Sequence, residues 1–276
     1  MLTILTGILV GLALGLTGGG GSILALPLLV YVLGVPPVQA VTISLATVSL
    51  MAMTGAAEAV YTRLAEWRTA FILSVGGMIA APFGSLFSAT LSEAFILNGF
   101  AVLMILVAIS MGIGAFKIPE SMTVLRVNYR NLAKVEGPVC QYDDNANLRL
   151  AAPCSAVLFI AGILTGLLSS IFGVGGGFLI VPALLFVTRM DIQRAVATSL
   201  LIISLIGLTG VVSALLQGRI PDIQITSLFL VGGVTGMGVG RMMVKKIPTL
   251  ALQKIFVIIV LLLAGFTFVA NGFLNG

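Results

Sequence analysis

Apolar segments of about membrane-spanning length recur along the whole chain, at Leu2–Leu33, Val38–Tyr61, Thr69–Leu91, Phe95–Phe116, Pro153–Thr188, Val196–Gln217, Ile223–Val244 and Leu252–Phe273. About 20 apolar residues carry a helix across a ~30 Å hydrocarbon core. In that medium every backbone polar group must be satisfied within the protein, so long continuous runs predict helices. Charge points the same way: 8% of the 276 residues are charged, against about 25% in a soluble domain. The mean hydropathy is +1.21. The chain reads as an all-α polytopic membrane protein.

Several function classes fall away at once. The chain contains no histidine, which excludes histidine-based catalysis, proton relays and metal sites. Its two cysteines, Cys140 and Cys154, form no metal or redox motif and read as free thiols. No basic segment precedes the first apolar run, so that run does not read as a signal peptide. The net charge of +5 fits lysines and arginines that hold loops in the cytoplasm better than nucleic-acid binding. No metal or cofactor motif is present.

Two apolar runs are broken by glycine: "LTGGGGSILALP" from Leu16 and "IFGVGGGFLIVP" from Ile171. A shift of 155 residues superposes them, laying Gly18 on Gly173, Gly20 and Gly21 on Gly175 and Gly176, and Pro27 on Pro182. Ser44 then meets Ser199, Ser49 meets Ser204, and 18 of 44 columns from Gly7 to Leu50 are identical. After one inserted residue Arg63 meets Arg219, Gly76-Gly77 meet Gly232-Gly233, and Gly84 meets Gly240. The chain is a duplicated unit: a first transmembrane repeat over 1–116, a polar connector over 117–150 and a second repeat over 151–276.

Charge orients the copies. If each glycine-broken run crossed once, the repeats would be parallel and the 14 Lys/Arg would divide 8 to 6 between the two sides. If the run folds back at its glycines, the division becomes 13 to 1, with Arg219 alone on its side. The positive-inside rule selects the second arrangement. The expected fold is therefore two inverted-topology repeats, each a glycine-broken helical hairpin followed by three transmembrane helices. Both termini then lie outside and the connector is cytoplasmic. Leu2–Thr17 and Ile23–Leu33 would be about 24 Å and 16 Å of helix at ~1.5 Å per residue, short of the core and suited to a re-entrant hairpin. Two tilted crossings satisfy the same charge count.

Non-helical backbone survives at membrane depth only when buried or lining a wet cavity. Gly18, Gly19, Gly20 and Gly21, with Gly173, Gly175, Gly176 and Gly177, permit a tight reversal and let a ligand reach bare backbone. The helix leaving each turn offers free N–H groups and partial positive charge, as at the midplane sites of inverted-repeat transporters. Ser22 could cap the first of these helices, or the loop could stay extended until Pro27 and Pro182 take the first helical positions. Gly232, Gly236 and Gly240 instead have the spacing of close helix packing.

Together, the Gly-rich turns followed by S/G-x4-P, the A-V-x-x-S-L segments, the basic residues of "RLAEW" and "RIPDI", and G-G-x6-G resemble the TauE/SafE sulfite exporter family. The likeness covers both halves and leaves out only the connector. It implies a membrane transporter for sulfite, sulfonates and other small organosulfur anions. Val174 interrupts the second glycine cluster and Gly177 replaces Ser22, so the two half-sites are not expected to contribute equally.

Among polar candidates, Ser44 and Ser199 occupy equivalent positions just beyond the hairpins, where a hydroxyl can donate to an anion. Thr42, Thr47, Ser49, Thr198 and Ser204 could do so too, or could bond their own helix carbonyls. Glu58 is the one acid well inside an apolar span and is a candidate for proton coupling, or a partner for Arg63. Arg63 and Arg219, at matching positions on opposite faces, could steer anions to each mouth or serve as snorkelling anchors; Arg241 reads as an anchor. The expected function is a secondary active transporter in the cell membrane, exporting a small sulfur-containing anion by alternating access. With no nucleotide-binding loop, coupling falls to protons or the membrane potential. An anion channel and a carrier of a non-sulfur carboxylate are the alternatives. An enzyme is not expected, because no acid pair or metal ligands lie at helix depth.

Overall fold

The computed structural model describes residues 1–117, 141–142, 148–149, 152–188, 190, 192–244, 257–265 and 267. The described residues form helices α1 (Leu2–Thr17), α2 (Ser22–Pro27), α3 (Pro37–Tyr61), α4 (Trp67–Thr90), α5 (Glu93–Lys117), α6 (Ala152–Phe172), α7 (Gly177–Thr188), α8 (Ile192–Leu216), α9 (Ile223–Val244) and α10 (257–265). Among them α3, α4, α6, α8 and α9 are long and apolar enough to cross a membrane, whereas α1, α2 with its extension, and the described part of α5 are shorter. Among the described residues of the charged connector, Gln141 pairs with Arg149 and Tyr142 with Leu148 in a short antiparallel ladder.

Local chemistry sets the boundaries. Gly18 ends α1 in the left-handed region (φ 72°), its N–H closing on Leu14 O at 2.8 Å, a conformation glycine adopts without a Cβ penalty. Pro27 supplies no N–H to the ladder, and the helix widens beyond it into a π-helical turn, Leu28–Val32. Pro36 is extended and Pro37 opens α3, where its missing N–H costs nothing. Asp222 caps α9, its Oδ1 accepting from Gln224 N at 2.8 Å and Ile225 N at 3.2 Å.

Three of the sequence expectations need correction here. The helices after the turns begin at Ser22 and Gly177, so neither Pro27 nor Pro182 is a first helical residue. Ser22 is not a cap: the cap position is Gly21, and the Ser22 hydroxyl donates back to Gly19 O at 2.6 Å. The chain can tighten locally with 3₁₀-type bonds, Ser22 N to Gly19 O, Ile23 N to Gly20 O and Leu24 N to Gly21 O, which need no cap. Cys154 is buried and disulfide-bonded, not a free thiol. The chain has one other cysteine, Cys140, which lies outside the described residues.

Packing repeats between the copies with partners exchanged. On α1, a Cβ at Gly7 would strike Phe229 O and one at Gly11 would strike Gly233 of α9. On α6, the equivalent Gly162 meets Leu73 O and Gly166 meets Gly77 of α4. Gly232, Gly236 and Gly240 sit against the carbonyls of Ile4, Ile8 and Leu12, the close backbone approach that small residues permit in membranes. Helices α1 and α9 thus run in the same direction, as do α4 and α6. At the centre α3 and α8 run in opposite directions, with Gly55 against Leu200 and Gly210 against Leu45. Met51 of α3 reaches Gly233, and Gly55 reaches Met237, so α3 runs with α9 and therefore with α1.

Candidate functional site

The glycine turns meet in the buried interior. A Cβ on Gly19 would lie 2.6 Å from the carbonyl carbon of Gly177, and one on Gly177 would lie 2.9 Å from Gly19 Cα. Residues Gly18–Gly21 and Gly173–Gly177 are all buried. The α3–α8 pair encloses them: Val41 and Val48 of α3 press on Gly173 and Gly175, while Val196 and Ile203 of α8 press on Gly18 and Gly177. Positive φ values of 68°, 66° and 67° at Gly173, Gly175 and Gly176 place the second turn where side chains are disfavoured. Sequence-selected residues from both copies are thus brought to one point.

The hydroxyls divide into three classes. Thr42, Thr47, Ser49 and Ser204 bond carbonyls of their own helices. Ser199 reaches across the repeats, donating to Gly18 O at 3.0 Å as well as to Val196 O at 2.8 Å. Ser44, its equivalent, is fully buried and has no partner. Ser169 and Ser170, on the last turn of α6, are also buried and unpartnered. Each such hydroxyl costs about 1–3 kcal/mol, an expense that a ligand could remove.

Polar side chains close the two ends differently. At one end Arg194 Nη1 lies 2.9 Å from Glu66 Oε1, and Thr198 Oγ1 accepts from Glu66 N at 3.0 Å. There Arg241 Nη1 lies 2.6 Å from Glu58 Oε2 and donates to Gly55 O at 3.2 Å. Glu58 therefore pairs with Arg241 rather than Arg63, its side chain 54% exposed, and Arg241 is an ion-pair partner rather than a mere anchor. At the other end the hydroxyls of Ser85 and Ser213 lie 2.6 Å apart, and Gln217 donates to both. Arg219 donates to Ser85 O at 2.8 Å, Gln217 Oε1 at 3.1 Å and Ser88 Oγ at 3.3 Å. Repeat alignment lays Ser213 on Glu58 and Ser85 on Arg241, so one position carries an ion pair at one end and a neutral pair at the other.

The matched arginines are not alike. Arg63 is exposed, with φ 54° in the loop between α3 and α4. Arg219, between α8 and α9, is half-buried and lines a cleft of about 210 Å³ with Gln39 and Thr42. Burial lowers its guanidinium pKa from the ordinary arginine value by desolvation. Sequence reasoning missed Ser85, Ser88, Ser169, Ser170 and Gln217. Ser85 could have been found, because its repeat partner is the singled-out Arg241; Ser169 and Ser170 align with Leu14 and Gly15 and leave no repeat signal.

Comparison with known proteins converges on one family. The model of the sulfite exporter TauE/SafE family matches residues 3–267. A "probable membrane transporter protein" of Xylella fastidiosa (strain 9a5c) is 36% identical over 96% of this chain and 93% of its own length. The probable membrane transporter protein YunE of Bacillus subtilis is 26% identical over 94% and 95%, and YdhB of the same organism 27% over 92% and 94%. No solved structure matches the chain. A family match across nearly the whole length, on an all-helical scaffold with several membrane-spanning helices, means that the chain belongs to the TauE/SafE sulfite exporter family of membrane transporters.

Proposed function

We propose that this protein is a secondary active transporter that exports a small sulfur-containing anion (sulfite, a sulfonate or a related organosulfur anion) across the cell membrane by alternating access. The observation that carries the proposal is the contact of Gly19 with Gly177, where turns from two copies of one unit meet between α3 and α8. A substrate held there would touch backbone from both copies. Gly18, Gly19, Gly20, Gly21, Ser22, Ser44, Gly173, Gly175, Gly176, Gly177 and Ser199 are the proposed lining.

The proposal includes two inverted repeats, 1–116 and 151–276, joined by the connector 117–150. It is supported by the antiparallel α3–α8 pair, which a two-fold axis in the membrane plane would generate, and by the exchanged partners of α1 and α6. The orientation, with both termini outside and the connector cytoplasmic, is supported by the gathering of Arg194 and Arg241 at one end and Arg219 at the other. In alternating access the two ends open in turn. The Glu58–Arg241 and Ser85–Ser213 pairs occupy equivalent places and would be the contacts that break. Glu58, as a pair partner at the end of α3, would then act in closure as well as in any proton coupling.

Counterflow in proteoliposomes tests the proposal. Saturable sulfite or methanesulfonate exchange, accelerated by the same anion on the opposite side, is the expected result. Unitary currents without trans-acceleration would indicate a channel instead, and exchange of malate but of no sulfur oxyanion would indicate a carboxylate carrier.

A further inference from the structure

The two glycine turns differ in how their amides are used. In the first turn Gly18 N donates to Leu14 O, Gly20 N to Thr17 Oγ1, and Ser22, Ile23 and Leu24 N to the carbonyls of Gly19, Gly20 and Gly21. In the second turn, among the described residues, the backbone N–H groups from Gly173 to Phe178 make loose turn contacts at most, and none reaches full hydrogen-bond geometry. All six are buried. For Gly175 the cause is visible in the sequence. Phe172 stands where Thr17 stands and offers no hydroxyl, and Phe172 is instead turned toward Phe100, with ring centroids 6.2 Å apart.

Hydroxyls gather around the same turn. Ser44 lies on the α3 face between Val41, which presses on Gly173, and Val48, which presses on Gly175. Ser169 Cβ lies 3.3 Å from a Cβ built on Gly176, while Ser170, one residue nearer the turn in sequence, faces α4 and α8, its Cβ 2.9 Å from a Cβ built on Gly84 and its Oγ 3.1 Å from one built on Gly210. All three side chains are 2% exposed or less and unpartnered. The first turn has Leu14 and Gly15 in place of Ser169 and Ser170, and its Ser199 is already bonded to Gly18 O.

Buried amides without acceptors are rare in folded proteins. Six loosely held ones in succession, on a backbone with positive-φ glycines at Gly173, Gly175 and Gly176 leading into the twelve-residue α7, invite a better acceptor. Amide N–H groups cannot ligate a cation, and a cluster of donors at the partly positive start of a helix favours an anion. We propose that the second turn, Gly173–Phe178 with Ser44, Ser169 and Ser170, is the seat of the transported oxyanion. A sulfite or sulfonate head is held there by neutral donors alone, and the first turn acts as a wall that closes on it. This seat rests on the transport function proposed above and narrows it to one half of the duplicated site.

The test uses the full-length protein in detergent, with sulfite and methanesulfonate as probes in calorimetric titration and thermal melting. Ser44→Ala, Ser169→Ala and Ser170→Ala should each weaken binding roughly tenfold or more, since each removes a hydrogen bond to a charged group. Without ligand the same variants should melt at or above the wild-type temperature, because each loses an unsatisfied buried hydroxyl. Thr235→Ala, on the exposed face of α9, should leave affinity unchanged. Wild-type affinity in all three serine variants would overturn the seat and leave the transport proposal standing. Lowered melting temperatures with lost binding would make the serines structural and equally overturn it. A wild-type protein that binds neither probe would remove the seat and the sulfur-oxyanion substrate together.

Discussion

Substituting Gly19 with alanine isolates the contact between the two turns. Gly19 is outside the positive-φ set, so its backbone accepts alanine and any effect must come from the added methyl. That Cβ would sit 2.6 Å from the Gly177 carbonyl carbon and 3.1 Å from its Cα, where ordinary contact lies at about 3.5–4.0 Å. The turns must separate by roughly 1 Å, and both partners are backbone, with no flexible side chain to yield. Overpacking of this kind costs about 1–3 kcal/mol. If the turns touch in only one state of the transport cycle, that state loses about 5- to 150-fold in population. The assay pairs melting with counterflow and takes Gly238→Ala as control, since nothing lies within 4 Å of a Cβ there and a helical alanine is favoured over glycine. Gly19→Ala should melt lower and exchange more slowly, while Gly238→Ala should match wild type or melt slightly higher. Equal melting and equal exchange in Gly19→Ala would refute the close contact as a working part of the protein.

Two further outcomes follow from the ends and the connector. Arg219→Gln should lower apparent affinity for anion presented from its own side by several fold, and part of that defect should persist in high salt because Arg219 is half-buried; the exposed Arg63→Gln should give a weaker defect that disappears with salt, as expected over a Debye length of about 8 Å. Iodoacetamide should label Cys154 in the unfolded protein only after reduction, as seen by intact mass, and labelling of both cysteines without reductant would refute the disulfide.

Much of the architecture was legible. Runs such as Val38–Tyr61 and Ile223–Val244 coincide with α3 and α9 to within one residue, because in hydrocarbon a single long apolar run satisfies its own backbone only as helix. The glycine spacing Gly232, Gly236, Gly240 announced close packing, and each does meet a carbonyl of α1. The site was legible only in outline. Glycine clusters marked where the backbone breaks, and repeat symmetry singled out Ser44 and Ser199. Symmetry then misled by implying equivalence: Ser199 is satisfied by Gly18 O, and Ser44 is not.

The residues by themselves determined the solvent the chain must meet, the number of units it repeats and the places where its helices stop, since hydropathy, self-similarity and backbone freedom are all local properties. Tertiary structure decided which partner each polar group obtains. Arg241 takes Glu58 across 183 residues of chain, Ser85 takes Ser213, and Ser44 takes no one. The physical reason is that a hydrogen bond or ion pair is set by distance and direction in space. Those appear only after α1 has docked on α9, α6 on α4, and α3 on α8, so that two turns 155 residues apart come to share one interior.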